Sequence, residues 1–164
     1  MPSSTPYSHA PEDYQCAMCK IVAHDSTGIY TQPQDIIFQM DVVTAFIGSH
    51  WWPRNKGHVI VIPNAHIENL YAMPFETGGH ILAAARQVAL ALKAVYQCDG
   101  TSTRQHNEPA GYQEVFHYHL HVFPRYVGDE LYISTYDRYL TTPEERLPYA
   151  EKLRHYFVTE GNLS

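Results

Sequence analysis

Three histidines alternate along one short stretch of the chain, VFHYHLHVFPR at positions 115–125. Side chains of a β-strand point alternately to its two faces, so His117, His119 and His121 should share one face, with neighbours about 6.6 Å apart. The intervening residues are aromatic or aliphatic and should face the core: Phe116, Tyr118, Leu120 and Val122. The pattern predicts a strand over 115–125 that has a buried side and a side carrying imidazoles.

The remaining elements predict an α+β domain with an antiparallel sheet and one main helix across it. DIIFQMDVVTAFIG (35–48) is typical of one or two strands, and GTSTRQHN (100–107) of another. KGHVIVIPNAH (56–66) predicts a central strand that Pro63 ends, because proline cannot donate to the ladder. Apolar residues at helical spacing predict a helix over about 77–97: Ile81, Ala84, Ala85, Val88, Leu92 and Val95.

Near the carboxyl end, Thr142, Pro143 and Glu145 form the pattern of a capped helix start. Pro148 should interrupt that helix or restart it. We divide the chain into a disordered or extended tail (1–13), one domain (14–126) and a carboxyl-terminal extension with a helix packed on the same domain (127–164).

Composition excludes several classes of protein. The net charge of −6 argues against nucleic-acid binding. No apolar run approaches the roughly 20 residues that span a bilayer, and the first residues lack the features of a secretory signal. An odd number of cysteines, three, favours a reducing compartment, which we take to be the cytoplasm.

Cys16 and Cys19 form a C-x-x-C pair, which supplies half of a tetrahedral zinc site. Histidine is the natural source of the other two ligands, from His58, His66 or one of the three alternating histidines. If a terminal histidine of the three binds zinc, the middle one is left to act as a nucleophile. Alternatively, all three histidines bind one metal.

These motifs together resemble the histidine triad (HIT) family. HYHLHVF resembles the family's His-x-His-x-His signature, and CAMCKIV resembles the zinc half-site of its zinc-containing branch. KGHVIVIPNAH and NEPAGYQEVFHYHLHVFPR resemble its next strand and its active-site segment, so the likeness spans roughly 14–126. It implies a HIT-like fold with a five-stranded antiparallel sheet, one long helix and short terminal helices, joined into a two-fold homodimer.

The resemblance also implies an activity: attack on the α-phosphorus of a nucleoside phosphate derivative through a covalent nucleotidyl-histidine, which releases a nucleoside monophosphate such as AMP. It implies one structural zinc, bound by Cys16, Cys19, His66 and His117. His119 matches the nucleophile, His121 matches a phosphate contact, and His58 lies beside them. The other matches are phosphate ligands and apolar walls for the base: Asn107, Gln113, Met18, Ile21 and Phe46.

Two of the chain's departures from the family pattern bear on its substrate. Where family hydrolases carry a ribose-binding aspartate after the Phe of AF, this chain has Gly48, Ser49 and His50. Trp51 and Trp52 follow, and for these we favour packing at the dimer interface over a wall of the pocket. Glu114 replaces the usual Ser or Thr near the leaving group. It can protonate a leaving group if burial raises its pKa, and its charge favours a small leaving group over a polyphosphate.

The hypothesis of a hydrolase acting on nucleoside phosphoramidates or dinucleoside polyphosphates has two competitors. One is a nucleotide-binding regulatory module with little turnover, favoured by the missing ribose aspartate. The other is a plain metal-binding protein that uses all three histidines. The metal-binding hypothesis predicts more than one metal per chain and loss of metal in His119→Ala.

Overall fold

The computed structural model describes residues 6–160, which form an α+β fold around a five-stranded antiparallel sheet. The strands of that sheet, in spatial order, are β1 (Ile36–Gln39), β2 (Val43–Ile47), β4 (Val59–Pro63), β6 (Leu120–Arg125) and β5 (Gly100–Arg104). A small second sheet pairs β3 (His50–Trp51) with β7 (Tyr139–Leu140). The helices are α1 (Ala17–Val22), α2 (Phe75–Tyr96) and α3 (Pro143–Glu160).

The long helix α2 covers one face of the sheet and begins two residues before the predicted start. Its side chains Ile81, Val88 and Leu92 are buried in the same cluster as Val59 and Val122 of the central strands. This confirms the amphipathic pattern, because residues spaced three or four apart lie on one side of a helix. Within residues 6–160, no helix is both long and apolar enough to cross a membrane.

The prediction of a strand over 115–125 is wrong for its first half, because β6 begins only at Leu120. Residues 115–119 are not paired as a strand, and the chain bends at 115–117. The backbone of this segment forms other bonds, since the Tyr118 N–H donates to the Ile67 carbonyl at 2.6 Å. Tyr118 and Leu120 still join the core under α2. Phe116 does not, since its ring packs edge-on against Tyr14 with centroids 5.6 Å apart.

The capping box at the start of α3 is confirmed by bonds in both directions between Thr142 and Glu145. The helix then continues through Pro148 without a break, contrary to the prediction of an interruption. Pro148 removes the helical bond to the Glu144 carbonyl, but both residues are exposed, so water can replace it.

Buried contacts hold α3 on both sides of that proline. Arg146 forms a fully buried ion pair with Asp35 at 2.9 Å, while Ala150, Leu153 and Phe157 pack into the α2 core. The extension assigned to 127–164 therefore packs on the sheet through α3, and its last four residues lie outside the described residues. The first five residues of the predicted tail lie outside them as well.

Candidate active site and cysteine–histidine cluster

The candidate site lies on the face of the sheet opposite α2. Strand alternation sends Ile60, Ile62, His121 and Phe123 to this side, which we call the histidine face. A cross-strand row runs over it, in which Phe46 pairs with Ile60, Ile60 with His121, and His121 with Arg104. One end of this face meets α1 and the other meets Trp52.

Four of the predicted ligands converge where α1 meets the segment before β6. Ligand atoms of Cys16, Cys19, His66 and His117 all lie within 4.8 Å of one another, and we call this group the cysteine–histidine cluster. Cys16 Sγ is 3.3 Å from His117 Nδ1, and Cys19 Sγ is 3.3 Å from His66 Nδ1. The C-x-x-C spacing works because Cys16 caps α1, so both thiols sit on its first turn.

The donor set fits a tetrahedral zinc ion. With zinc bonds of about 2.3 Å to sulfur and 2.0 Å to nitrogen, the sulfur–nitrogen edges of a tetrahedron measure about 3.5 Å. The shorter sulfur–nitrogen separations, 3.3 to 3.6 Å, match that value. His117 Nε2 donates to the Pro63 carbonyl at 2.9 Å, which leaves the Nδ1 lone pair directed at the sulfurs.

His119 is held in one tautomer by the backbone. Its Nδ1–H donates to the carbonyl of His117 at 2.7 Å, so Nε2 carries the lone pair. The side chain is buried, and burial lowers the pKa of His119. The imidazole is therefore neutral near pH 7 and has one nitrogen available to attack an electrophile.

His121 and His58 form a hydrogen-bonded pair, with His121 Nδ1 3.2 Å from His58 Nε2. Burial, with smaller effects from Arg104 and His50, lowers the pKa of His58 to about 3, and burial also holds the pKa of His121 well below its usual value. His58 Nδ1 is buried without a hydrogen-bond partner among residues 6–160. A buried acceptor without a partner is more common than a buried N–H without one, so His58 Nδ1 carries a lone pair and not a hydrogen. His58 Nε2–H therefore donates to His121 Nδ1, and His121 presents its own Nε2–H to the site.

The missing ribose aspartate has a structural reason. The ring of His58 lies against Gly48, where the Cβ of any other residue would overlap it. His58 also stacks on Phe123 with centroids 4.6 Å apart, so the ring has no room to turn aside. Gly48 thus leaves space for an imidazole where the family pattern has a carboxylate.

Gln113 and Asn107 are both engaged in holding loops together. Gln113 Nε2 donates to the carbonyls of Glu68 and Val115 at 2.6 and 3.1 Å, and its Oε1 accepts from the Glu108 N–H at 2.8 Å. Asn107 Oδ1 accepts from the Leu70 N–H at 2.8 Å. Gln113 must give up one of its two donated bonds before it can donate to a phosphate oxygen. Asn107 Nδ2 donates one bond, to Gln105 Oε1 at 3.1 Å, and keeps its second N–H for such an oxygen.

The raised pKa considered for Glu114 is not found. Its carboxylate is exposed and paired with the Arg138 guanidinium at 2.9 Å, and this hydrogen bond lowers the pKa of Glu114. An ionised carboxylate cannot act as the acid for a leaving group. This pair could not be predicted from the sequence, because its members are 24 residues apart.

The three predicted wall residues, Met18, Ile21 and Phe46, pack together with Ile60 and Ile62 beside the cysteine–histidine cluster. They are only 7%, 4% and 1% exposed. In this arrangement they form a second small core, and they offer little surface to a nucleotide base.

The comparisons with known proteins agree with this geometry. A family model described as HIT domain matches residues 30–128, more than half of the chain. The Bacillus subtilis protein named Protein hit is 34% identical over 111 residues, which are 68% of this chain and 71% of that protein. The chain belongs to the HIT family.

Solved structures of other proteins share the fold. A zinc-bound histidine triad family protein from Mycobacterium smegmatis superposes with a TM-score of 0.72 at 26% identity, covering 92% of this chain and 98% of the other. The Plasmodium falciparum diadenosine triphosphate hydrolase, solved with cyclomarin A, gives a TM-score of 0.67 over 93% of this chain and 88% of its own. At 15% identity the latter shows the fold alone.

Sequence reasoning missed several residues of this HIT site. Arg104 stacks over the rings of Trp52 and Phe123, at 4.8 and 4.9 Å from their centroids, directly across the strand from His121. Trp51 packs in the α2 core and Trp52 lies under this arginine, so both rings are buried within one chain and offer little surface to a dimer interface. His106 points Nδ1 at the Gly111 carbonyl, 2.6 Å away. The position of Arg104 beside His121 depends on the β5–β6 register, which the sequence does not specify.

Proposed function

We propose that this HIT protein is a nucleotide hydrolase in which His119 attacks the α-phosphorus of a nucleoside phosphate derivative. The observation that carries the proposal is the hydrogen bond from His119 Nδ1 to the His117 carbonyl. It fixes a neutral imidazole immediately before a rigid strand, with Nε2 as the nucleophile. Purine nucleotides, AMP derivatives in particular, are the proposed substrates.

The reaction has two displacements on phosphorus. In the first, a bond forms between His119 Nε2 and phosphorus while the bond to the leaving group breaks and its electrons stay with that group, which takes a proton from solvent where it leaves as ammonia. In the second, water attacks the same phosphorus and releases a proton to solvent. The nitrogen–phosphorus bond breaks with its electrons returning to Nε2, and the nucleoside monophosphate departs with neutral His119 restored. His121 Nε2–H supports both steps by donating to a phosphate oxygen, because charge develops there in each transition state.

The cysteine–histidine cluster is proposed to hold one structural zinc. Four protein ligands leave no open coordination position, so the ion would contribute stability rather than an activated water. His117 connects the cluster to the nucleophile, because it is a candidate ligand and its backbone carbonyl accepts the hydrogen bond from His119. Fixing His117 also fixes the orientation of the nucleophile.

The first experiment measures AMP release from adenosine phosphoramidate and from diadenosine triphosphate by zinc-loaded protein. Wild type should release AMP, and His119→Ala should be at least about 10³-fold slower while keeping one zinc per chain. His155→Ala, at an exposed histidine on α3, is the matched control and should behave as wild type. No release from any donor by folded, zinc-loaded wild type would refute the hydrolase; loss of zinc in His119→Ala would instead favour the plain metal-binding protein.

A nucleotide-binding regulatory module is the second candidate, and Gly48 is the observation that favours it. Without a carboxylate at this position, ribose must be held by other groups, which weakens the case for efficient turnover. This candidate predicts that AMP binds wild type and His119→Ala with similar affinity. It also predicts that wild type releases AMP no faster than His119→Ala does.

We further propose a homodimer and a cytoplasmic location. Phe75 and Leu82 lie seven residues apart on one side of α2 and are 98% and 70% exposed, and exposed apolar surface of this kind favours an interface. Light scattering of wild type and of Leu82→Lys tests the dimer. The expected result is twice the chain mass for wild type only.

A further inference from the structure

Arg104 occupies an unusual place at the end of edge strand β5. It pairs across the strand with His121, so its side chain emerges on the histidine face beside the reacting groups. The guanidinium lies over Trp52 and Phe123, two rings that are themselves almost fully buried. Stacking on two aromatic faces restricts the plane of the guanidinium and so reduces the entropy lost when it binds a ligand.

No protein acceptor satisfies this guanidinium. Within residues 6–160, the side chain of Arg104 takes part in no hydrogen bond or ion pair, and its Nε is buried without a partner. Aromatic stacking satisfies the positive charge in part but leaves the buried Nε–H without an acceptor. Buried donors are nearly always paired, so an arginine in this state is prepared for an acceptor that arrives from outside.

Every arginine–carboxylate ion pair within residues 6–160 involves an arginine other than Arg104. Arg138 pairs with Glu114, Arg54 with Glu130, and Arg125 with Asp129. None of them neutralises Arg104, and the positive charge of Arg138 reaches Arg104, whose pKa is lowered chiefly by burial. This side of the site is therefore cationic, although the protein as a whole carries a net charge of −6.

We propose that Arg104 binds a phosphate group of the substrate that lies beyond the phosphorus attacked by His119. This rests on the proposed function. A guanidinium suits phosphate because its planar N–H groups bond two oxygens at once. When the phosphorus–oxygen bond breaks, the electron pair stays on the departing phosphate, and Arg104 stabilises that charge. The substrate class is then a nucleoside polyphosphate derivative rather than a phosphoramidate.

This assignment reverses the sequence-based preference for a small leaving group. That preference relied on an unpaired Glu114, which would repel a polyphosphate. In the structure Arg138 neutralises Glu114, and the charge that remains next to His121 is the positive charge of Arg104.

The test compares two substrates that share the adenylyl group and differ in the charge of the leaving group. Diadenosine triphosphate releases a phosphorylated leaving group, and adenosine phosphoramidate releases ammonia. Arg104→Met keeps an apolar stem on the two rings, Arg104→Lys keeps the charge, and Arg54→Met is the control at an exposed arginine outside the site. Zinc-loaded protein is used, and melting curves verify folding.

We expect Arg104→Met to lower kcat/KM for diadenosine triphosphate about 10- to 100-fold and for the phosphoramidate less than about 3-fold. Arg104→Lys should fall between, and Arg54→Met should match wild type on both substrates. Equal losses on both substrates, or no loss on either, would overturn the assignment.

A binding measurement separates this inference from the proposed function. If wild type hydrolyses neither substrate, the proposal of a hydrolase is refuted. The phosphate site at Arg104 can still be tested by calorimetry with inorganic tripolyphosphate. Wild type should then bind tripolyphosphate at least about 10-fold more tightly than Arg104→Met, with Arg54→Met unchanged. Equal affinity in wild type and Arg104→Met would overturn the phosphate site whatever the activity.

Discussion

The two faces of the five-stranded sheet are built from the same strands and differ in almost every other respect. Towards α2, β4 and β6 present Val59, Val61 and Val122, all fully buried in a continuous apolar cluster. Towards the opposite side, one residue along each strand, they present Ile60, His121 and Phe123. The α2 face is a packed core, whereas the histidine face carries polar groups in fixed tautomers.

This difference separates what stabilises the molecule from what it can do. The α2 face is held by packing, which tolerates substitutions of similar volume. On the histidine face each group depends on a particular partner, as His119 depends on the His117 carbonyl. Variants on the first face should therefore change stability alone, and variants on the second should change metal content, activity or pH dependence.

The largest expected effect is on the histidine face, at the cysteine–histidine cluster. Cys16→Ser removes one of the four ligands, and zinc content should fall from about one per chain to nearly none. Because metal binding is coupled to folding, the free energy of unfolding should fall by more than about 4 kcal/mol. Metal analysis and urea unfolding measure the two quantities.

Cys98→Ser is the matched control, since Cys98 is a buried cysteine that packs in the α2 core. It should keep its zinc and lose far less stability than Cys16→Ser. Equal zinc content in the Cys16→Ser variant and wild type would show that the cysteine–histidine cluster does not bind zinc.

A smaller effect is expected on the α2 face. Leu92 is fully buried against the sheet, and Leu92→Ala should lower the free energy of unfolding by about 2–5 kcal/mol, because it leaves a cavity. Zinc content and AMP release per folded molecule should stay at the wild-type value. Leu90→Ala, an exposed leucine on the same helix, should change the unfolding free energy by less than about 1 kcal/mol. A large loss of specific activity in Leu92→Ala would show that the two faces are coupled.

Features set by local sequence could be predicted, and these include most of the fold. The alternation in β4, the helical spacing in α2 and the capping box of α3 each follow from residues close together in the chain. The four members of the cysteine–histidine cluster also come together as the resemblance implied. The bends at 115–117 were missed because an alternating pattern looks the same whether or not the backbone is paired.

Features set by contacts between distant segments could not be predicted. The ion pair of Glu114 with Arg138, the position of Arg104 opposite His121, and the contact of Gly48 with His58 all depend on register or on loop paths. These contacts determine charge and space around the nucleophile. The sequence could therefore indicate the nucleophile but not which leaving group the site would favour.

The smallest expected effect concerns pH and again distinguishes the two faces. Burial lowers the pKa of His58 to about 3, while its pKa in the unfolded chain is about 6.5. Between these values the unfolded state binds more protons, so stability is complete above about pH 6.5 and declines as the pH falls. His58 alone contributes a slope of up to about 1.4 kcal/mol per pH unit, and His121, whose pKa is also lowered, acts in the same direction.

Urea unfolding of wild type, His58→Leu and Leu92→Ala at several pH values between 5 and 8 measures this slope. His58→Leu should have a shallower dependence below about pH 6.5, because one buried imidazole has been removed. Leu92→Ala should be less stable at every pH with an unchanged slope, because no titratable group was lost. The zinc ligands are the same in all three proteins, so their titration cancels in the comparison. Equal pH dependence of the free energy of unfolding in wild type and His58→Leu would contradict this prediction. It would mean that His58 takes up a proton as readily in the folded protein as in the unfolded chain, and that solvent reaches the histidine face.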